Sequence, residues 1–151
     1  MIGLLQRVSH ARVEIDGKSV GEIGRGLLVL VGVEKGDAEA EAEHLLDRLL
    51  DYRVFPDEAG KMNCSLRDIQ GGLLLVPQFT LLADTSNGSR PDFSPAAKPD
   101  VARWLFEFMG VRANSKYPHV ASGIFGANMQ VSLTNDGPVT FWLQVEPMMG
   151  C

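Results

Sequence analysis

Cysteine and histidine are scarce in this 151-residue chain, at two and three residues. Cys64 and Cys151 are too few and too far apart for a disulfide framework or a thiolate metal site. They read as two free thiols in a reducing compartment. His10, His44 and His119 show no metal-ligand spacing. A P-loop, a dinucleotide glycine fingerprint and a Gly-x-Ser-x-Gly elbow are all missing. No stretch approaches a membrane span, and the opening Met1–Arg7 segment meets a charge too early for the apolar region of a signal peptide. These absences predict chemistry without a metal or organic cofactor, away from membranes, with the cytoplasm as the default compartment. Basic charge is short as well: 14 Lys+Arg stand against 19 Asp+Glu, a net charge of −5. Gripping a long nucleic-acid backbone calls for a basic face. If this chain acts on a nucleic acid, it should hold only one end and touch few phosphates.

What is present suits one globular domain over residues 1–151. Hydrophobic residues at 45% and charged residues at 22% are ordinary for a folded protein with a substantial core. Residues 2–15 read as a strand running to Asp16-Gly17, a strong hairpin signal, and residues 18–23 return. The apolar run from Gly26 to Val33 reads as a buried strand. Asp37 is placed to N-cap a helix that carries Leu45, Leu46, Leu49 and Leu50 on one face, with His44 near the face boundary. Residues 72–82 read as a further strand, residues 84–95 as a loop, and Pro99 opens a second helix. In that helix Val101, Trp104, Leu105, Phe108 and Met109 form an apolar stripe read as core, and a loop is expected from Arg112 to Pro118. Met129, Val131 and Leu133 alternate with polar residues in the first of two last strands around a turn at Asn135–Val139. Many strands and two helices without regular βαβ alternation argue for an α+β fold with a mostly antiparallel sheet.

Two segments stand out. Val76-Pro77-Gln78-Phe79-Thr80-Leu81 contains a proline and sets polar side chains among apolar ones. If the strand continues, Val76, Gln78 and Thr80 share one face and Phe79 takes the other. Pro77 cannot donate to a ladder and marks an edge or a bulge. The plain reading of Gln78 and Thr80 is the solvated face of an edge strand. Asn135-Asp136-Gly137-Pro138-Val139-Thr140 has glycine directly before proline. Its plain reading is a hairpin turn.

In this order the two segments resemble the signature of the D-aminoacyl-tRNA deacylases, whose motifs read roughly S-Q-F-T-L and N-x-G-P-x-T. The similarity extends to Gln6-Arg7-Val8, Gly32-Val33, Arg53-Val54-Phe55, Gly60-Lys61-Met62-Asn63, Arg90-Pro91 with Phe93, and Gly126-Ala127 with Met129. Pro77 departs from it, standing where the family has serine. The resemblance implies a barrel-like sheet with two packed helices, assembled as a homodimer. It also implies a cofactor-free carboxylic ester hydrolase acting on the acylated 3′ end of aminoacyl-tRNA.

Gln78, Phe79 and Thr80 are then the catalytic candidates. Amides near Phe79 and Thr80 would face the developing oxyanion. Thr80 would be a nucleophile or, the favoured reading, an orienting group helped by the substrate's ribose hydroxyl. Gly137 and Pro138, joined by a cis bond, would clamp the α-amino group and exclude L side chains. Such a clamp would also admit glycine, including glycyl-tRNA mischarged on tRNA-Ala, and it would reach into the partner's active site. Arg90 suits a phosphate contact or a solvated loop position. Arg7 suits substrate binding or bracing of the glycine-proline loop. Phe125 and Met129 suit an adenine pocket or core packing. Two other readings remain: a non-catalytic tRNA or single-stranded nucleic-acid binding module on the same fold, and editing of a mischarged L-amino acid.

Overall fold

The strand on which the sheet is laid is β1, Ile2–Ile15, in a computed structural model that describes residues 1–148. Cys151 lies outside the described residues. One edge of β1 pairs antiparallel first with β3 (Gly26–Gly32) and then with β2 (Lys18–Ile23). Its other edge pairs antiparallel with β8 (Gln130–Gln144). β6 (Gly72–Pro77) runs parallel to β3, and β7 (Val120–Ser122) runs parallel to β6. The result is α+β, with a nearly closed, barrel-like sheet. A small hairpin of β4 (Phe55–Pro56) and β5 (Met62–Cys64) lies apart from it. Asp16 and Gly17 both have positive φ, as the tight hairpin expected there requires.

Period-two alternation separates two cores. On β6, Leu73 and Leu75 face α1 (Glu39–Asp51) and α3 (Pro99–Lys116), packing with Leu45, Leu49, Leu105 and Met109. Leu74 and Val76 face the barrel interior, with Val8, Ala11, Val13 and Leu28. A short third helix, α2 (Leu66–Ile69), too brief to show an apolar period, is capped by Ser65, whose hydroxyl accepts from Asp68 N at 3.2 Å.

Several expectations are corrected. The N-cap of α1 is Ala38, not Asp37. The buried Asp37 carboxylate instead accepts from the Met1 ammonium at 3.0 Å and from Glu34 N at 2.7 Å, which turns it away from the helix amides. The ammonium also donates to Val145 O at 2.7 Å, and burial pushes the Asp37 carboxyl pKa up despite these partners. α3 does not stop near Gly110 but runs to Lys116. Ala113 is buried, and Arg112 and Lys116 pair with Glu43 of α1, so packing overrides the glycine. Trp104 lies off the core stripe and is 50% exposed, while Ala102 and Phe106 join the buried set. Within Met129–Leu133 the alternation holds, but the inner face is only half-covered, with Val131 exposed.

Candidate active site

The strand from Gly72 ends at Pro77, five residues earlier than the pattern suggested. Pairing with β7 covers only Leu73–Leu75, so past that point the β7-side edge of β6 is open. Pro77 has its missing donor on this open side, because the next amide, Gln78 N, donates to Val31 O of β3 at 2.8 Å. The chain then tightens into a 3-10 helix, Phe79–Leu82. The shared face proposed for Val76, Gln78 and Thr80 therefore does not exist. The apolar period of a strand gives way here to a turn in which Leu81 N donates to Gln78 O.

That turn leaves polar groups uncommitted. The first amides of a helix have no acceptor within it. Phe79 N and Thr80 N make no backbone hydrogen bond among the described residues. The Gln78 side-chain amide donates to Thr80 Oγ1. No carboxylate, imidazole or amine approaches that hydroxyl within hydrogen-bond distance among the described residues. A carboxamide is not a base, so nothing beside Thr80 can take its proton. The geometry offers two free N–H donors and an oriented hydroxyl, which suits stabilising an oxyanion and holding a ligand.

These groups border a cavity of about 520 Å³ lined by Val76–Phe79 on one side and Phe125–Met129 on the other, with Pro99 and Ala102 of α3 between. Gly123 permits the closure: a Cβ there would lie 2.7 Å from Met129 Sδ and 3.5 Å from Pro77 Cδ. Phe79 is 55% exposed and its ring meets that of Phe93 in a tilted pair, with centroids 5.1 Å apart. Gln78, Phe79, Phe125 and Met129 thus meet in one place, with Thr80 tied to Gln78. A second, more open depression of about 420 Å³, around Arg25, Gln70 and His119, lies at the other end of β3 and β6 and contains none of these residues.

Gly137 and Pro138 do not line the cavity of their own chain. They are not a hairpin tip either. β8 pairs with β1 on both sides of them, Thr140 opposite Gln6 and Asn135 opposite Val8. Residues 136–139 therefore bulge out of one continuous strand opposite the single residue Arg7. The Gly137–Pro138 peptide bond is cis, and both residues are exposed. Arg7 braces the bulge: Nε donates to Asp136 O and Nη1 to Val54 O, each at 2.8 Å. Asn135, at the head of the second motif, ties its ends. Its Nδ2 donates to Thr140 Oγ1 at 2.9 Å, and its Oδ1 accepts from Val139 N at 2.7 Å. Its position at the head of the second motif was the available signal. Arg90 is exposed in its loop and forms no ion pair among the described residues.

Comparison with known proteins decides the family. The model described as "D-Tyr-tRNA(Tyr) deacylase" matches residues 4–144. The chain belongs to this family. It is 62% identical over 149 residues to a D-aminoacyl-tRNA deacylase of Janthinobacterium sp. (strain Marseille), covering 99% of this chain and 100% of that one. It is 60% identical over 152 residues to the D-aminoacyl-tRNA deacylase of Ralstonia nicotianae, covering 97% and 92%. Among solved structures, a "c-Myc DNA Unwinding Element Binding Protein" superposes with a TM-score of 0.92 at 38% identity, covering 97% and 99%. A probable eukaryotic D-amino acid tRNA deacylase shares the fold, with a TM-score of 0.76 at 20% identity, covering 95% and 98%. As a member of the deacylase family the chain is an ester hydrolase with aminoacyl-tRNA as its substrate class. No described helix is long and apolar enough to cross a membrane, and no three described His, Cys, Asp or Glu residues cluster as metal ligands.

Proposed function

We propose that this deacylase removes D-amino acids from tRNA in the cytoplasm as a proofreading step and spares L-aminoacyl-tRNA. The observation that carries the reading is the pair of free amides on Phe79 and Thr80 at the rim of the cavity, beside the Gln78–Thr80 contact. Water adds to the ester carbonyl carbon, and the carbonyl oxygen becomes an oxyanion that accepts from the two amides. Removing one such donor typically costs a few kcal/mol of transition-state stabilisation. Collapse breaks the acyl C–O bond, and the ribose oxygen leaves as a hydroxyl with the proton lost by the attacking water. Thr80 orients the ester or water, and the neighbouring ribose hydroxyl assists.

Chirality is assigned to the exposed Gly137–Pro138 bulge, whose carbonyls hold the α-amino group and leave no room for an L side chain. Because the bulge lies off its own chain's cavity, it completes the site of a two-fold partner, giving two equivalent sites per homodimer. Achiral glycine passes the same filter, so glycyl-tRNA mischarged on tRNA-Ala is a second substrate. Incubating the purified protein with matched D- and L-tyrosyl-tRNA and following ester loss tests the proposal. Equal rates on both enantiomers would remove the chiral reading and favour general editing. The name of the DNA-element binding neighbour at 38% identity supports a second reading, a nucleic-acid binding module without catalysis. Binding of tRNA with no hydrolysis of either enantiomer would establish that one.

A further inference from the structure

The residues that line the 520 Å³ cavity carry no charged side chain. It is walled by Phe79, Phe125, Met129 and Val131, with Gln78 and Asn128 as polar groups, a lining suited to a neutral ring system. One cation stands at its wall. Pro99 and Ala102 of α3 face the cavity, and Arg103, next along the helix, lays its guanidinium over Phe125, with Cζ 5.2 Å from the ring centroid. Its Nη2 comes so near Gly126 that a Cβ there would lie 3.1 Å away. Phe125 and Gly126 are both lining residues, and Arg103 is not, so the guanidinium stands beside the cavity wall.

Arg103 is also weakly engaged. Its ion pair with Glu107 is 3.9 Å long between side chains that are each more than half exposed. Such a pair contributes little to stability. A guanidinium placed over an aromatic ring still has N–H groups for a planar, two-point contact with a phosphate. In a chain of net charge −5, a cation fixed at this place is notable against the general field.

We propose that Arg103 holds the phosphodiester on the 5′ side of the terminal nucleoside while that nucleoside occupies the neutral cavity. Arg103 is thus a positioning residue for the deacylase reaction. The inference rests on the deacylase reading above. It separates the two parts of the substrate: the ester and nucleoside are read by the cavity, the RNA backbone by one arginine on α3.

The test compares D-tyrosyl-tRNA with 2′(3′)-O-D-tyrosyl-adenosine, which carries the ester and nucleoside but no phosphate. In Arg103→Gln the ratio of kcat/KM for the tRNA to that for the adenosine ester falls roughly tenfold or more, as loss of a charged hydrogen bond implies. The change appears in KM rather than kcat, and the slope of log kcat/KM against log salt for the tRNA drops by about 1. Arg103→Lys restores part of the ratio and the salt slope. Glu107→Gln, which releases the guanidinium, lowers KM for the tRNA only. These two variants carry the test if Arg103→Gln does not fold. An unchanged ratio in all three variants, or parallel losses on both substrates, overturns the inference. A wild-type protein inactive on both substrates would instead overturn the deacylase reading.

Discussion

Gly137→Ala separates a chirality-checking bulge from an ornamental one. Gly137 has φ +148°, and a Cβ built on it would lie 2.6 Å from Val139 Cγ2 and 2.8 Å from Val139 N. The first contact can relax by rotating a side chain. The second is with main chain that Asn135 Oδ1 holds at 2.7 Å, so the backbone itself must move. Forcing a side chain into such a region costs about 1–3 kcal/mol. If the bulge escapes by shifting, its contact from Arg7 Nε to Asp136 O is lost with it. At 1.36 kcal/mol per factor of ten, the competent bulge falls in population roughly 5- to 150-fold. Hydrolysis of D-tyrosyl-tRNA should fall by that factor and the D-to-L preference should shrink. Val139 is the one bulge residue packed on a core, and only at its margin, so melting should fall by no more than about 10 °C. Mixing this variant with Thr80→Ala should recover activity above either alone, because one site of each heterodimer has both parts intact. Full rate and full D selectivity in Gly137→Ala would refute the assignment, whatever the protein's stability.

Thr80→Ala should retain measurable hydrolysis, and rapid quenching of the wild type should trap no acyl-enzyme, since no base adjoins the hydroxyl; a Thr80 adduct would establish it as the nucleophile. Activity should survive EDTA, given that the described residues include no cluster of three metal-type ligands, and loss reversed by adding zinc would contradict this. Glu41, only 3% exposed, is held below the ordinary glutamate pKa chiefly by the Met148 amide, which donates to Oε1 at 2.8 Å, and also by the Ala38 amide. A depressed folded-state pKa stabilises above the unfolded-state value, and that contribution is lost as pH falls through the folded-state value. Glu41→Gln should therefore cost about 1–3 kcal/mol at neutral pH and flatten the acid limb of the stability curve, as read by urea unfolding at several pH values.

The strands around the core were legible because alternation and apolar runs decide burial. Leu73–Val76 and Gly26–Val31 need no partner information to read as buried strands. Element ends were less legible where a single polar group has competing uses. Asp37 is a sound cap by sequence, yet a buried ammonium claims it first. Residues 112–116 resemble a loop after Gly110, yet salt bridges to Glu43 and Asp47 on α1 hold them helical. Both errors have the same cause: a long-range electrostatic partner invisible to a local window.

The site shows the same division more sharply. The two candidate segments were conspicuous, because a proline in an apolar strand and a glycine before a proline stand out. Their geometry was not, because both motifs interrupt the regular element that contains them. Pro77 ends a strand where β7 has already turned away, and the freed chain winds into a 3-10 turn whose first amides have no partner. Gly137 and Pro138 leave β8 without ending it, and Arg7, opposite them on β1, reaches across to hold what has left. In each case the candidate segment is what the sheet could not absorb. A period-two reading assigns such residues to faces of the sheet, and only the hydrogen bonds missing from the ladder show that they lie outside it. Arg103 was invisible for a different reason: on a helix, an arginine beside the apolar stripe looks like any solvated cation until the ring beneath it, 22 positions along the chain, is placed.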